Sequence, residues 1–329
     1  MRAVSDGWQP TIAVSTARRR AAMLANARRF FESRNVLEVD VPSISLCTVS
    51  DPNIESIRAI LRRDKGRIRY LQTSPEYFMK RLLCSGFPDI YSIGRVYRDG
   101  EAGRRHQPEF TMVEWYRREY ELEEMIDESC AFVTQLLDRE SLDVTPVIIE
   151  YLDAVRERAG IDPLAAPCSS LADACGADDR LRNAIGDNRD AWLDLLVSTK
   201  VVPTLAIDRL TVIRHYPASQ AALARLCPED SSIADRFEVF LGNMELANGY
   251  VELRDAAEQE RRWQEDLRVR RERGLDAVPL DARLLAALRH GLPACSGVAV
   301  GFDRLVMLAE GADDIARVQS FSFEDAEPS

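Results

Sequence analysis

Apolar side chains recur every three or four positions in some stretches of this chain and every second position in others, which separates helices from strands. Met23, Leu24, Ala27, Phe30 and Phe31 form one apolar face within residues 16–34, predicting a helix capped by Thr16 and ended by Asn35. The following VLEVDVP reads as a short strand closed by Pro42. Ser74-Pro75-Glu76 has the order of a helix start, with the serine as cap, proline in the first position and an acid in the first turn. Residues 89–98 (DIYSIGRVYR) and 110–116 (FTMVEWY) are rich in β-branched and aromatic side chains and predict two strands. In residues 236–253, RFEVFLGNMELANGYVEL, Gly242-Asn243 is a two-residue hairpin turn that sets Leu241 opposite Met244 and Phe240 opposite Glu245. Asn248-Gly249 has the form of a second turn, or of backbone approaching a ligand. Gly297, Ala299 and Gly301 alternate with Val298, Val300 and Phe302, so one strand face is small and leaves floor space above it. A helix follows at once, with Arg304 in its first turn, Leu305, Leu308 and Ala309 on its apolar side and Gly311 as its stop. Residues 255–273 read as a charged helix with a solvated face, stopped by Gly274, and residues 143–208 as a helical insertion. Hairpins packed by helices predict one α+β domain spanning residues 1–329.

Composition narrows the function. The chain of 329 residues is 46% hydrophobic and 29% charged, which suits a large buried core. No apolar run reaches the roughly 18 residues of a membrane span, and the first 20 residues hold no long apolar segment of a signal peptide. The seven cysteines are scattered without a C-x-x-C pair, predicting reduced thiols in a cytoplasmic protein. A net charge of −11 gives no global attraction to nucleic acid.

Candidate chemistry lies in three segments. The loop DGEAGRRHQ between two predicted strands carries Arg104, Arg105 and His106, three candidate cations that ask for an anion. In the predicted hairpin, Glu238 lies diagonally across from Glu245, about 7–8 Å away between backbones, within reach of a shared Mg²⁺. Arg304 opposes the dipole of its own helix unless an anion balances both. Phosphate-loop and dinucleotide glycine motifs are absent, and three histidines without G-x-S-x-G argue against a hydrolase triad.

Together these segments resemble the class II aminoacyl-tRNA synthetase catalytic domain. The N-terminal helix, strand and Pro42 are similar to its first motif, GRVYRDGEAGRRHQPEFTMVEWY to its second and GVAVGFDRLVML to its third. TSPEY, HQPEFTMVEWY and FEVFLGNMELANGYVEL are most similar to lysyl-tRNA synthetases. The resemblance implies an antiparallel sheet flanked by helices, a homodimer and ATP with Mg²⁺. It implies that Arg98 binds the α-phosphate, that Arg304 holds the γ-phosphate, and that Glu238 and Glu245 hold the metal. It places Asp99, Gly100, Glu101, Gln107, Glu245, Leu246 and Gly301 with them around ATP. Ser74, Pro75, Glu76, Tyr116, Glu252 and Ala299 would line the amino-acid pocket, with Glu76 and Glu252 opposite the substrate's ammonium groups.

Departures refine the resemblance. There is no room before about Thr16 for an N-terminal OB-fold, and Ala299 stands where the synthetases keep glycine. Both features are similar to the elongation factor P lysine ligases, synthetase relatives that activate (R)-β-lysine and transfer it to a lysine of elongation factor P. Arg98-Asp99-Gly100 replaces the usual Arg-Asn-Glu, and Gln107 replaces an asparagine. The alternatives are a truncated lysyl-tRNA synthetase paralogue activating α-lysine, and an inactive regulatory paralogue. The missing OB-fold and acidic charge argue against a tRNA partner.

Overall fold

The structure is a computed structural model that describes residues 8–139 and 142–324. Residues 1–7, part of the segment read as lacking a signal peptide, lie outside the described residues. In chain order the elements are α1 (Val14–Glu32), β1 (Leu37–Glu38), β2 (Ile44–Ser45), β3 (Arg58–Ile60), β4 (Ile68–Leu71), α2 (Glu76–Cys84), β5 (Ile90–Tyr97) and β6 (Glu109–Arg118). They continue with α3 (Leu122–Leu137), β7 (Asp143–Glu150), α4 (Tyr151–Ala159), α5 (Cys168–Ala174), α6 (Asp179–Ile185), α7 (Arg189–Leu196), β8 (Arg209–Pro217), β9 (Ile233–Leu241) and β10 (Met244–Val251). The last are α8 (Ala256–Glu272), α9 (Ala282–His290), β11 (Cys295–Gly301) and α10 (Phe302–Glu310). Contacts gather into two compact units, one of Met1–Glu119, Gln135–Asp138 and Arg254–Ser329, the other of Tyr120–Thr134 and Arg139–Leu253.

In the first unit β5, β6 and β11 pair antiparallel, and β1 lies parallel to β5 at the outside. A separate sheet has the order β2-β4-β3. Phe30 and Phe31 of α1 are fully buried, and Phe31 stacks on Tyr91 at 4.1 Å between ring centroids. Met79 and Leu83 of α2 bury against Trp263 of α8, Leu284 and Leu288 of α9 and Tyr116 of β6. Burial of these large apolar side chains is the main term holding the layers together.

Local expectations meet the structure unevenly. Asn35 does leave the helical region at φ 56°, but Thr16 is no cap: α1 starts at Val14, and the Thr16 hydroxyl donates to Glu310 at 2.6 Å. The VLEVDVP strand shrinks to the two residues of β1. At α2 the helix begins one residue late, with the Glu76 amide donating to Ser74 Oγ at 3.0 Å. Asp255 caps α8 and Gly274 follows it at φ 70°, yet its face is not wholly solvated. Gln259, Trp263 and Arg270 are buried there, and Arg270 pairs with Glu55.

The second unit has the strand order β10-β9-β8-β7, antiparallel except for β7 alongside β8. Tyr151 and Val155 of α4 pack on Ile213, Tyr216 and Phe240. Residues 143–208 open with a strand and then carry α4 to α7. Among the described residues no helix is long and apolar enough to cross a membrane, and all seven cysteines are free thiols.

One ion pair ties the first unit's ends to its sheet. Asp303, at the start of α10, is 2% exposed and pairs with Arg20 of α1. It also accepts from the Thr111 amide at 2.8 Å and from Gln319 Nε2 at 3.1 Å. Replacing Arg20 by leucine strands this carboxylate without its cation, at a cost of about 3–5 kcal/mol. The expected outcome is a lower urea midpoint for unfolding at unchanged slope; an unmoved midpoint contradicts the assignment.

Candidate active site

The small-faced strand predicted at residues 295–301 is β11, and its register decides what stands over the floor. Gly297 pairs with Tyr116, Ala299 with Glu114, and Gly301 with Met112. Side chains alternate faces along β6, so Glu114 and Tyr116 project together. The Tyr116 hydroxyl donates to Glu114 Oε1 at 2.7 Å and Ser74 Oγ to its Oε2 at 2.7 Å. Ser74 reaches it from the start of α2, the same turn that presents Glu76. Lys80, one helical turn further on, pairs with Glu76 Oε1 at 2.6 Å and is 1% exposed.

Glu114 and Glu76 thus lie together with the ammonium of Lys80. Burial, with the charge of Glu76 beside it, pushes the Glu114 carboxyl up to about 8. A ligand ammonium placed there would supply the missing positive charge. Glu114 was not among the residues expected to line the pocket. Its only signal is the alternation that puts it on the Tyr116 face of FTMVEWY. Lys80 carried a signal too: it is one of just three lysines, the others being Lys65 and Lys200, and lies four residues from Glu76.

Arg98 follows β5, its amide donating to Pro108 O at 2.9 Å. Its guanidinium carbon lies 5.3 Å from the Phe110 ring centroid, and Nη1 sits 3.5 Å from Glu101 Oε1. Its Nε is buried with no partner among the described residues. Asp99 donates its amide to Glu55 O at 2.8 Å, and Gly100 turns the chain at φ 76°, a conformation that favours glycine. Gln107 is buried and its Oε1 accepts from the Phe323 amide at 3.1 Å. That bond spends one end of the amide on the C-terminal segment. Arg304 does lie in the first turn of α10, after the N-cap Gly301, and its Nη2 is 2.7 Å from His106 Nε2. A guanidinium only donates, so His106 accepts through an unprotonated nitrogen. In this arrangement His106 is thus an acceptor for Arg304 and not a third cation of the loop.

In the second unit the hairpin turn falls at Gly242-Asn243, with Leu241 opposite Met244 and Phe240 opposite Glu245. The register then slips between Glu245 and Ala247, leaving Leu246 as the extra residue of a bulge and Glu238 opposite Asn248. Strand β10 continues through Asn248-Gly249, so no second turn forms there. Glu252 lies beyond β10, buried and bridged to Ala224. Arg236 donates to Glu238 Oε1 at 2.6 Å and packs over Tyr216 at 4.4 Å. Burial pushes the Glu238 carboxyl up to about 7, Arg236 opposes this and Glu245 adds to it. Two carboxylates crowded this way fit a divalent cation that takes oxygen ligands. Among the described residues no group of three or more His, Cys, Asp or Glu side chains could cage a metal alone.

The raised Glu114 makes cation binding pH-dependent. Below about pH 8 the carboxyl carries a proton that an incoming ammonium displaces, so affinity rises with pH toward 8 and then levels. Titration calorimetry with lysine in buffers of different ionisation enthalpy should show proton release in the wild type and none in Glu114→Gln. Equal proton release in both contradicts the assignment.

Comparison with known proteins agrees with this geometry. The sequence model of tRNA synthetases class II (D, K and N) matches residues 13–325. The elongation factor P–(R)-β-lysine ligase of Yersinia enterocolitica is 43% identical over 318 residues, 95% of this chain and 97% of its own. The protein of that name from Photorhabdus laumondii is 43% identical over 326 residues, covering 97% and 98%. That from Sodalis glossinidius is 42% identical over 326 residues, covering 98% and 99%. With its sheet register, paired carboxylates and Arg304-bearing helix on the same segments that this match spans, the chain belongs to the class II tRNA synthetase family of the D, K and N enzymes.

Proposed function

We propose that this protein activates (R)-β-lysine with ATP and transfers it to a lysine side chain of elongation factor P. The observation that carries the reading is the pair of neighbouring acids, Glu114 and Glu76, in the first unit: buried carboxylates side by side suit a substrate with its own amines. The names of relatives that cover nearly the whole chain support the same substrate and acceptor.

In the first step a carboxylate oxygen of the amino acid attacks the α-phosphorus of ATP in line, and pyrophosphate leaves. Arg98 offsets charge building on the α-phosphate, and Arg304 holds the γ-phosphate end with His106 as its partner. Such preorganised charge is the main source of rate enhancement in transfers that need no protein nucleophile. Glu238 and Glu245 would hold Mg²⁺, which supplies further charge neutralisation for the phosphates. Asp99, Gly100, Glu101, Gln107, Leu246 and Gly301 would complete the ATP site. In the second step the acceptor lysine amine attacks the acyl carbon, forming an amide and releasing AMP and a proton. Ser74, Pro75, Glu76, Tyr116, Glu252 and Ala299, with Glu114 added, would seat the amino acid. We further propose a cytoplasmic homodimer without a tRNA partner.

ATP–pyrophosphate exchange tests the reading. Wild type should exchange faster with (R)-β-lysine than with α-lysine, while Arg98→Ala and Arg304→Ala should each lose charge stabilisation worth about 3 kcal/mol. Ala299 stands opposite Glu114, so Ala299→Gly should move the ratio of kcat/KM toward α-lysine by about 1–3 kcal/mol, the usual worth of one methyl-sized change. Preference of the wild type for α-lysine would return the truncated synthetase reading, and absence of exchange the inactive one.

A further inference from the structure

The hairpin of β3 and β4 carries charge out of keeping with the rest of the chain. Residues 58–69 hold six cations, Arg58, Arg62, Arg63, Lys65, Arg67 and Arg69, and one acid, Asp64, in a chain of net charge −11. Internal pairing uses only part of them. Arg69 pairs with Asp64, and Arg58 reaches Asp276 at 2.7 Å. Arg62, Lys65 and Arg67 are exposed at the tip, with no side-chain partner among the described residues. Ile60 and Ile68 pair across the strands and are 69% and 40% exposed, so an apolar patch lies among the cations.

Both strands are rooted at the site. Glu55, three residues before β3, accepts the Asp99 amide at 2.8 Å. Gln72, just after β4, accepts the Tyr97 amide at 2.8 Å, and Ser74 two residues on bonds Glu114. The nine residues from Ser74 back to Lys65 span at most about 30 Å. A folded protein of about 100 residues has a radius of gyration near 13 Å, so one acceptor can touch the tip while its lysine enters the pocket.

We infer that this basic hairpin docks an acidic, partly apolar face of the acceptor protein and steers it to the site. The inference rests on the acceptor reading above. A protein face is favoured over nucleic acid because the hairpin exposes isoleucines and no aromatic ring on which bases could stack: its Tyr70 is buried.

The test is Arg62→Glu/Lys65→Glu/Arg67→Glu, with the glutamine triple as a milder control. Pyrophosphate exchange should be unchanged in both, because neither adenylation residues nor pocket are touched. The kcat/KM for transfer to elongation factor P at low salt should fall about tenfold or more in the glutamate triple, mainly through KM. The drop should be smaller in the glutamine triple, and both should lose most of the wild type's salt dependence. Unchanged transfer in both triples overturns the inference. So does aggregation with normal transfer per soluble molecule, which makes the cations guards of an edge strand. So does loss of tRNA binding with transfer intact, which makes the hairpin a nucleic-acid surface. A wild type that exchanges pyrophosphate but modifies no protein removes the acceptor reading itself.

Discussion

A buried carboxylate set beside a second acid is the constraint around which the first unit's site is arranged. Glu114 and Glu76 share their surroundings with the ammonium of Lys80, which sits on Glu76. Burial and the charge of Glu76 push the Glu114 carboxyl up, and the Ser74 and Tyr116 hydroxyls that donate to it oppose that shift. Those two bonds fix the start of α2 against β6. The residue opposite on β11 must then be small, and it is Ala299. Asp303 is the contrasting case in the same unit, since Arg20 closes its charge from within. One buried acid is neutralised by an arginine, while the other lies beside a second acid.

Arg98 keeps a buried donor without a partner among the described residues, and Arg304 rests against His106. In the second unit Glu238 and Glu245 crowd each other, with one arginine, Arg236, against Glu238. In the proposed adenylation the arginines would meet the phosphates, the paired glutamates a divalent cation, and the acids over β11 the amines of the substrate.

Much of this was legible in the sequence wherever cause and effect are neighbours along the chain. Gly242-Asn243 carried its own turn, and the small-bulky alternation of residues 297–302 announced both the floor and the helix that follows. Legibility failed where a partner is distant. Thr16 looked like a cap, but its hydroxyl is taken by Glu310, 294 residues away. Arg270 looked solvated on a charged helix, but its partner Glu55 is 215 residues away. Glu114 read as one polar position in an aromatic strand, because only the register with β11 and the approach of Ser74 reveal what it faces. The slip at Leu246 is invisible for a related reason: a bulge adds one residue to a strand without changing its composition.

The most direct test is the intact mass of elongation factor P after incubation with this enzyme, ATP and (R)-β-lysine. The factor should gain one β-lysyl group, located on a single lysine by fragmentation, with one AMP formed per group transferred. An unmodified factor in a mixture where the enzyme instead attaches α-lysine to tRNA would contradict it.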